Sequence, residues 1–475
     1  MLFNSFDYIL FLGLVVAGFW LLARHAQLRL IFVFVVSCLF YMAWHPAYIV
    51  LILGSTLIDY VVGLRIHATE VQKTRKRWLV ASLVSNLGLL GVFKYFNFGS
   101  QATADVLNLF FGFHIEKPPF LDVLLPVGIS FYTFQTLSYT IDIYRRKLEP
   151  TRNFFEFAVF VTYFPQLVAG PIVRASQLLP QLERKITLKD EQVAQGLFLI
   201  ATGMVKKVAI ADYLSVNLVD RVFDQPGLYS AAEVVIALYG FTMQIYCDFS
   251  GYTDVARGSA KLMGLELPEN FDRPYQSASP AEFWRRWHIT LSTWLRDYLY
   301  YPLGGSHVGP VRAYWNLWIT MFLIGVWHGA SWTFVFYAIL QAMAMVIHRF
   351  FYRRAGRTRD SVDTWPLHAF KVFWALQFVV FSRILFRATS LDNAAEVTAR
   401  LGSWTLSTAQ ITPGLWAMLI LTFAAHYTPK RWFESLEVGF KSLPAPAQGV
   451  TLAAVGFFLT VVATSEVVPY IYFQF

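Results

Sequence analysis

Four largely apolar runs open the chain: LFLGLVVAGFWLLA, LIFVFVVSCLFYMAW, AYIVLILGSTLIDYVVGL and LVASLVSNLGLLGVF. Each is about as long as a helix that crosses a bilayer. At membrane depth every backbone N–H and C=O must be satisfied within the protein, so only helices and closed barrels can span. A barrel alternates apolar and polar residues over segments of about 10 residues. These runs do not alternate. Only 15% of the 475 residues are charged, against about 25% in soluble domains. The chain therefore reads as an all-α polytopic membrane protein, with one membrane-embedded domain over residues 1–475.

Basic residues orient the spans. The clusters Arg24–Arg29, Arg65–Arg77 and Arg145–Arg152, placed in the cytoplasm, put the N-terminus outside and let the first four spans alternate. The formal net charge of +9 then belongs to cytoplasmic loops rather than to a nucleic-acid surface. Residues 95–120 lie outside, with VLNLFFGF too short to cross. NFFEFAVFVTYFPQLVAGPIV has basic flanks at both ends and carries Pro165, Gly170 and Pro171. It is expected to be a broken, re-entrant segment beside a cavity. Residues 315–347 form a tight hairpin or a second re-entrant element. Later spans are expected near 366–388, 410–426 and 447–466, for a total of about 11 or 12 crossings. Asp7 precedes the first run and no small-residue cleavage site follows it, so that run reads as a retained span. With two cysteines and no CxxC pair, a disulfide framework is not expected.

The segment EFWRRWHITLSTWLRDYLYYPLGG, residues 282–305, stands out for its rings and charges. At about 100° per residue, Trp284, Trp287, Leu291, Trp294, Leu295 and Tyr298 share one arc, with Arg285, Arg286, Arg296 and Asp297 opposite. This is the pattern of an amphipathic helix at the membrane face. His288 falls at the border of the apolar arc beside Ser292, which directs its imidazole inward. A packed histidine bonded to a carbonyl fits the same periodicity.

A second histidine, His328 in GVWHGASWTF, is the one group that titrates near neutral pH between Trp315 and Ile347. An ionisable residue at membrane depth is costly and marks a functional candidate. Gly325 and Gly329 beside it permit close approach of another backbone or a substrate. A neutral imidazole is what a general base must be, although a satisfied core histidine fits too. No third ligand stands at metal spacing from either histidine, so no metal is expected. No GxSxG is present. In IYCDFSGYTD, Asp248, Tyr252 and Asp254 either cap a helix or line a cavity.

With these residues in hand, the chain resembles the membrane-bound O-acyltransferase (MBOAT) family, in its bacterial branch that acetylates exported polysaccharides such as alginate. The resemblance runs through LPVGISFYTFQTLSYTIDIYRRK, YFPQLVAGPIVR, IYCDFSGYTDVARG, PENFDRPYQSASPAEFWRRWHITLSTWLRDYLYYPLGG and GVWHGASWTFVFYAILQ. Its diagnostic core is about residues 121–350, and the C-terminal third adds little to it. The resemblance implies a funnel of helices with a central tunnel, His328 as the catalytic residue and His288 as its supporting partner. It puts Asp248, Tyr252, Trp284, Trp287, Ser292 and Trp327 on the tunnel wall. Acetyl-CoA is implied as the acyl donor substrate, with no bound cofactor, and Arg285, Arg286 and Arg296 are candidates for its phosphates. These arginines suit lipid headgroups equally.

The same resemblance implies residence in the bacterial inner membrane and an SGNH-hydrolase-like exported partner that passes acetyl groups to the polymer. Two other readings remain: a transporter or flippase, which calls for intramembrane charge pairs and repeat symmetry, and a non-catalytic scaffold of an export complex.

Overall fold

A computed structural model describes residues 2–168, 170–356, 363–463 and 468–471. Among them no β-strand occurs, and a lone antiparallel bridge joins Phe271 to Trp287. The chain divides into two compact units, residues 10–187 and residues 2–9 with 188–475.

The helix α1 (Phe6–Leu21) begins in the second unit and continues into the first. The first unit then holds α2 (Ala26–Met42), α3 (Ile49–His67), α4 (Gln72–Leu90), α5 (Phe96–Phe111) and α6 (Ile129–Tyr144). It ends with α7 (Phe154–Thr162), α8 (Phe164–Leu167) and α9 (Ala175–Glu183). Helices α4 and α5 form one continuous rod, joined by a π-helical turn at Gly91–Tyr95. VLNLFFGF is thus the end of a long helix rather than a separate short piece. The expected break in the Pro165–Pro171 region is present. Tyr163 interrupts the helix, α8 is a single turn, and residues 170–174 are not helical. This backbone is buried, as irregular structure at membrane depth must be. Asp59 on α3 is buried too, and accepts from Ser82 Oγ at 2.6 Å and Asn86 Nδ2 at 2.8 Å.

The second unit starts with α10 (Asp190–Met204), which runs through π-helical turns to α11 (Asp220–Asp224). The 32-residue α12 (Ala231–Leu262) follows. Its start is set by a capping box, in which Ser230 Oγ accepts from Glu233 N and Glu233 Oε2 accepts from Ser230 N. Helices α10 and α12 meet backbone to backbone. A Cβ on Gly203 would stand 2.6 Å from the Gly251 carbonyl oxygen, and one on Gly258 2.5 Å from that of Gly196. The pairing of 196 with 258 and 203 with 251 makes the two helices antiparallel.

Next come two short helices, α13 (Pro280–Arg286) and α14 (Ile289–Leu295), then α15 (Pro310–His328) and α16 (Trp332–Arg354). The last pair is the expected hairpin. It closes tightly because a Cβ on Gly325 would lie 2.4 Å from Ala338, and one on Gly329 2.1 Å from the Phe334 ring. The close neighbour that these glycines admit is therefore α16. The C-terminal part holds α17 (Trp365–Arg387), α18 (Leu391–Leu401), α19 (Pro413–Tyr427), α20 (Lys430–Ser442) and α21 (Ala445–Val462). Three of these match the expected late spans, although residues 464–466 of the last lie outside the described residues.

Among the described residues, six helices are long and apolar enough to cross a membrane, and α1 and α2 are shorter apolar helices. Helix α21 has none of its apolar window buried, an arrangement that lipid can satisfy and water cannot.

Candidate active site

The segment around His288 is not one amphipathic helix, as its periodicity suggested. Helix α13 is capped by Ser279, with Pro280 in its first turn, and stops at Arg286. Trp287 is extended, and His288 takes φ 45°, ψ 56°, a left-handed conformation rare outside glycine. Helix α14 then restarts.

The break is held from outside. Asn270 O accepts from Ile289 N at 3.0 Å, and Asp272 N donates to Arg286 O at 2.9 Å. Asn270 Oδ1 accepts from Thr290 N at 3.2 Å and Thr290 Oγ1 at 2.9 Å. Such over-determination sustains a strained residue. The predicted arc survives the break: Trp284, Trp287, Leu291, Trp294, Leu295 and Tyr298 are all buried.

His288 is 0% exposed and His328 2%. Trp327 stands between them, its ring 5.8 Å from that of His288 and 5.2 Å from that of His328. Phe249 of α12 meets His288 edge-on at 4.8 Å. Phe386 of α17 and Tyr337 of α16 meet His328 at 5.4 and 6.4 Å. The two imidazoles thus lie in one cluster of packed aromatic rings, called the imidazole chamber below.

The hydrogen bonds orient both rings. His328 Nδ1 lies 2.7 Å from the Ile324 carbonyl oxygen, one turn back on α15. A carbonyl only accepts, so Nδ1 carries the proton and the lone pair of the neutral ring resides on Nε2. His288 Nδ1 lies 3.2 Å from Asn270 Oδ1, an atom that already accepts from an amide, so the same tautomer follows. Asn270 therefore positions His288 and shapes the turn that carries it. Asn270→Ala is expected to lower activity about tenfold or more through misplacement of His288. Rates per folded molecule, measured beside a melting curve, check this.

The candidates divide into three groups. His288, His328, Trp284, Trp287 and Trp327 come together, with Trp284 Nε1 donating to Gln341 Oε1 at 3.3 Å. Ser292 is half-buried one turn beyond, with its hydroxyl 3.4 Å from the Trp287 carbonyl.

Asp248 and Tyr252 belong to a different cluster. Lys207 Nζ reaches Asp248 Oδ1 at 2.6 Å and Asp212 Oδ1 at 2.7 Å, and Asp248 Oδ2 accepts from Ile471 N at 2.9 Å. Tyr252 stacks on Phe3 at 4.1 Å and lines a cavity of about water size with Asn4, Lys207 and Tyr470.

The arginines form the third group, toward the surface. Arg286 is paired with Glu282 at 2.8 Å and Arg296 with Asp297 at 2.8 Å. Arg285 is exposed and has no ion pair among the described residues. Among those residues, no three His, Cys, Asp or Glu side chains are grouped to hold a metal.

Several neighbours lay beyond sequence reasoning: Asn270, Phe249, Tyr337, Gln341, Phe386 and Arg383. His426 is another, its Nε2 accepting from Tyr275 N at 3.2 Å. Asn270 sat within a quoted motif without a role. Arg383, an arginine inside an apolar run, was the one visible signal in the C-terminal third.

Residues 19–388 match the sequence model of MBOAT, the membrane-bound O-acyltransferase family. The chain belongs to that family and is a multi-pass membrane O-acyltransferase. It is 39% identical over 404 residues to a probable alginate O-acetylase, AlgI, of Pseudomonas putida, covering 83% of this chain and 80% of the relative. It is 34% identical over 431 residues to a peptidoglycan O-acetyltransferase of Helicobacter pylori, covering 84% and 79%. A teichoic acid D-alanyltransferase of Bacillus subtilis is 29% identical over 241 residues, covering 47% and 59%.

Proposed function

We propose that this enzyme transfers an acetyl group from cytoplasmic acetyl-CoA, across the inner membrane, to an exported polysaccharide by way of an exported SGNH-like partner. The observation that carries the chemistry is the His328 Nδ1 bond to Ile324 O, which sets Nε2 as the basic atom inside a ring-walled chamber. The relatives named for acetyl transfer to alginate and peptidoglycan support the acyl group and the acceptor class.

In the step itself, an acceptor hydroxyl oxygen attacks the thioester carbonyl carbon as Nε2 takes the hydroxyl proton. The C–O bond forms, the tetrahedral adduct collapses with C–S cleavage, and the imidazolium returns its proton to the departing thiolate. The products are the O-acetyl ester and the free thiol. His288 acts as the second, positioned imidazole of the chamber. Burial of both rings excludes water that would otherwise hydrolyse the thioester, and the reading requires the aromatic wall to part when substrate enters. Arg286 and Arg296 already hold carboxylates, so Arg285 is the arginine best placed to take a donor phosphate at the rim.

The test is the acetyl content of the exported glycan in cells with and without this gene, together with affinity capture of the tagged protein. Loss of acetylation without the gene, and recovery of an SGNH-type partner, are expected. Unchanged acetylation without the gene contradicts the proposal. So does transfer that proceeds without any exported partner, which would place the glycan hydroxyl directly at His328.

A further inference from the structure

Helix α17 carries a buried arginine that packs on two rings next to the histidines. Arg383 is 1% exposed and has no ion pair among the described residues. Its guanidinium carbon lies 5.0 Å from the centroid of the Trp287 ring and 5.3 Å from that of Phe386. Those are wall residues of the site: Trp287 directly precedes His288, and Phe386 contacts the His328 ring at 5.4 Å. Tyr275 is a hydrogen-bond partner of the guanidinium on one side, and its own hydroxyl donates to Thr242 O at 2.6 Å. Nε and Nη2 are buried and have no hydrogen-bond acceptor among the described residues.

These two atoms are not an arbitrary pair. Nε–H and Nη2–H form the side-on edge of the fork, the edge that meets two oxygens of a carboxylate or phosphate in parallel. A buried guanidinium, a cation in proteins, gains attraction from ring faces, but rings offer no acceptor for its N–H groups. A charge buried without an anion is costly, and unpaired donors add to that cost. An anion that arrives with a ligand relieves both.

We propose that Arg383 binds a two-oxygen anion, a phosphate or a carboxylate, carried by one of the substrates of the transfer. This rests on the reading of the imidazole chamber as the place of acyl transfer. The anion comes from the donor, as a phosphate of CoA, or, where the glycan itself and not the exported partner enters the chamber, from the carboxylate of an acidic sugar. Arg383 thereby sets the position of that substrate relative to His328 and favours charged substrates over neutral ones.

The test uses the purified full-length enzyme as wild type, Arg383→Met and Arg383→Lys. Methionine removes the charge, whereas lysine keeps the charge and loses the fork. Acetyl-CoA and phosphate-free acetyl-pantetheine serve as donors. A uronate oligosaccharide and its carboxyl-reduced form serve as acceptors. In both variants KM for the anionic substrate is expected to rise about 10- to 100-fold, and the preference for it over its neutral counterpart to vanish. An effect confined to acetyl-CoA assigns the donor phosphate, and one confined to the uronate assigns the acceptor carboxylate.

Unchanged KM values for all four substrates, with or without a fall in kcat, overturn the site and leave Arg383 a packing partner of two rings. If the methionine variant does not fold, the lysine variant carries the same comparison. Titration of CoA and of the uronate into His328→Ala protein, with and without the Arg383 replacement, reads binding apart from chemistry. Anion-dependent binding lost with Arg383 supports the site whatever the role of His328, and binding unaltered by its replacement overturns it.

Discussion

Replacing His328 with alanine is expected to lower acetyl transfer by about 10²–10⁴-fold, the usual contribution of a positioned general base. The expectation follows from the ring's setting. Nδ1 is committed to Ile324 O at 2.7 Å, which fixes both the tautomer and the direction of Nε2. Alanine removes the imidazole and with it the proposed proton acceptor. The fall should appear in kcat, since the imidazole acts on the reacting hydroxyl more than on ground-state binding. His288→Ala should cost less, because that ring supports the chamber rather than accepting the proton. Rates per folded molecule, with membrane insertion and melting temperature checked in parallel, make the comparison. A scaffold protein would show no loss in either variant.

Lys207→Met should strongly destabilise the second unit. The lysine ion-pairs with Asp212 at 2.7 Å and Asp248 at 2.6 Å, with all three side chains no more than 6% exposed. Removing the cation leaves two carboxylates buried together, a change that costs about 3–5 kcal/mol in comparable broken pairs. The same cluster ties down the chain ends: Ile471 N donates to Asp248, and Asn4 Nδ2 lies 3.4 Å from both Asp212 Oδ2 and Val468 O. Thermal unfolding in detergent should therefore shift to lower temperature, with early release of the C-terminal residues to protease. The triple replacement Lys207→Met, Asp212→Asn, Asp248→Asn should recover a large part of the loss, since no unpaired charge then remains. Equal melting of Lys207→Met and wild type would sink this assignment.

The helices were legible because lipid leaves the backbone few options: a continuous apolar run has to be helical. The candidate site was legible in part. His288, His328 and the tryptophans between them were visible as polar and aromatic residues out of place in an apolar chain. The turn at Trp287–His288 was not, because its cause is Asn270, 18 residues earlier, and a helical wheel takes the backbone as unbroken. The wheel still identified the buried side chains, since each half of the segment keeps its own apolar face.

Asp248 was open to two readings because its partner Lys207 lies on another helix. In the sequence, KK at 206–207 looks like any basic pair, yet each lysine pairs with its own aspartate on α12, Lys206 with Asp254 at 2.6 Å. Arg383 and Phe386 were missed for a related reason. Apart from the charge of Arg383 itself, nothing local in α17 tells an apolar run that faces lipid from one that packs on the candidate site.

The sided transfer of an acetyl group tests the central claim most directly. Purified enzyme and the proposed SGNH-like partner are reconstituted in vesicles, with radiolabelled acetyl-CoA confined to the face equivalent to the cytoplasm and the acceptor to the opposite face. Wild-type protein should place label on the acceptor across the membrane, and His328→Ala should not, although it is equally folded and inserted. Equal labelling by the two proteins, or transfer only when donor and acceptor share one face, would contradict the account.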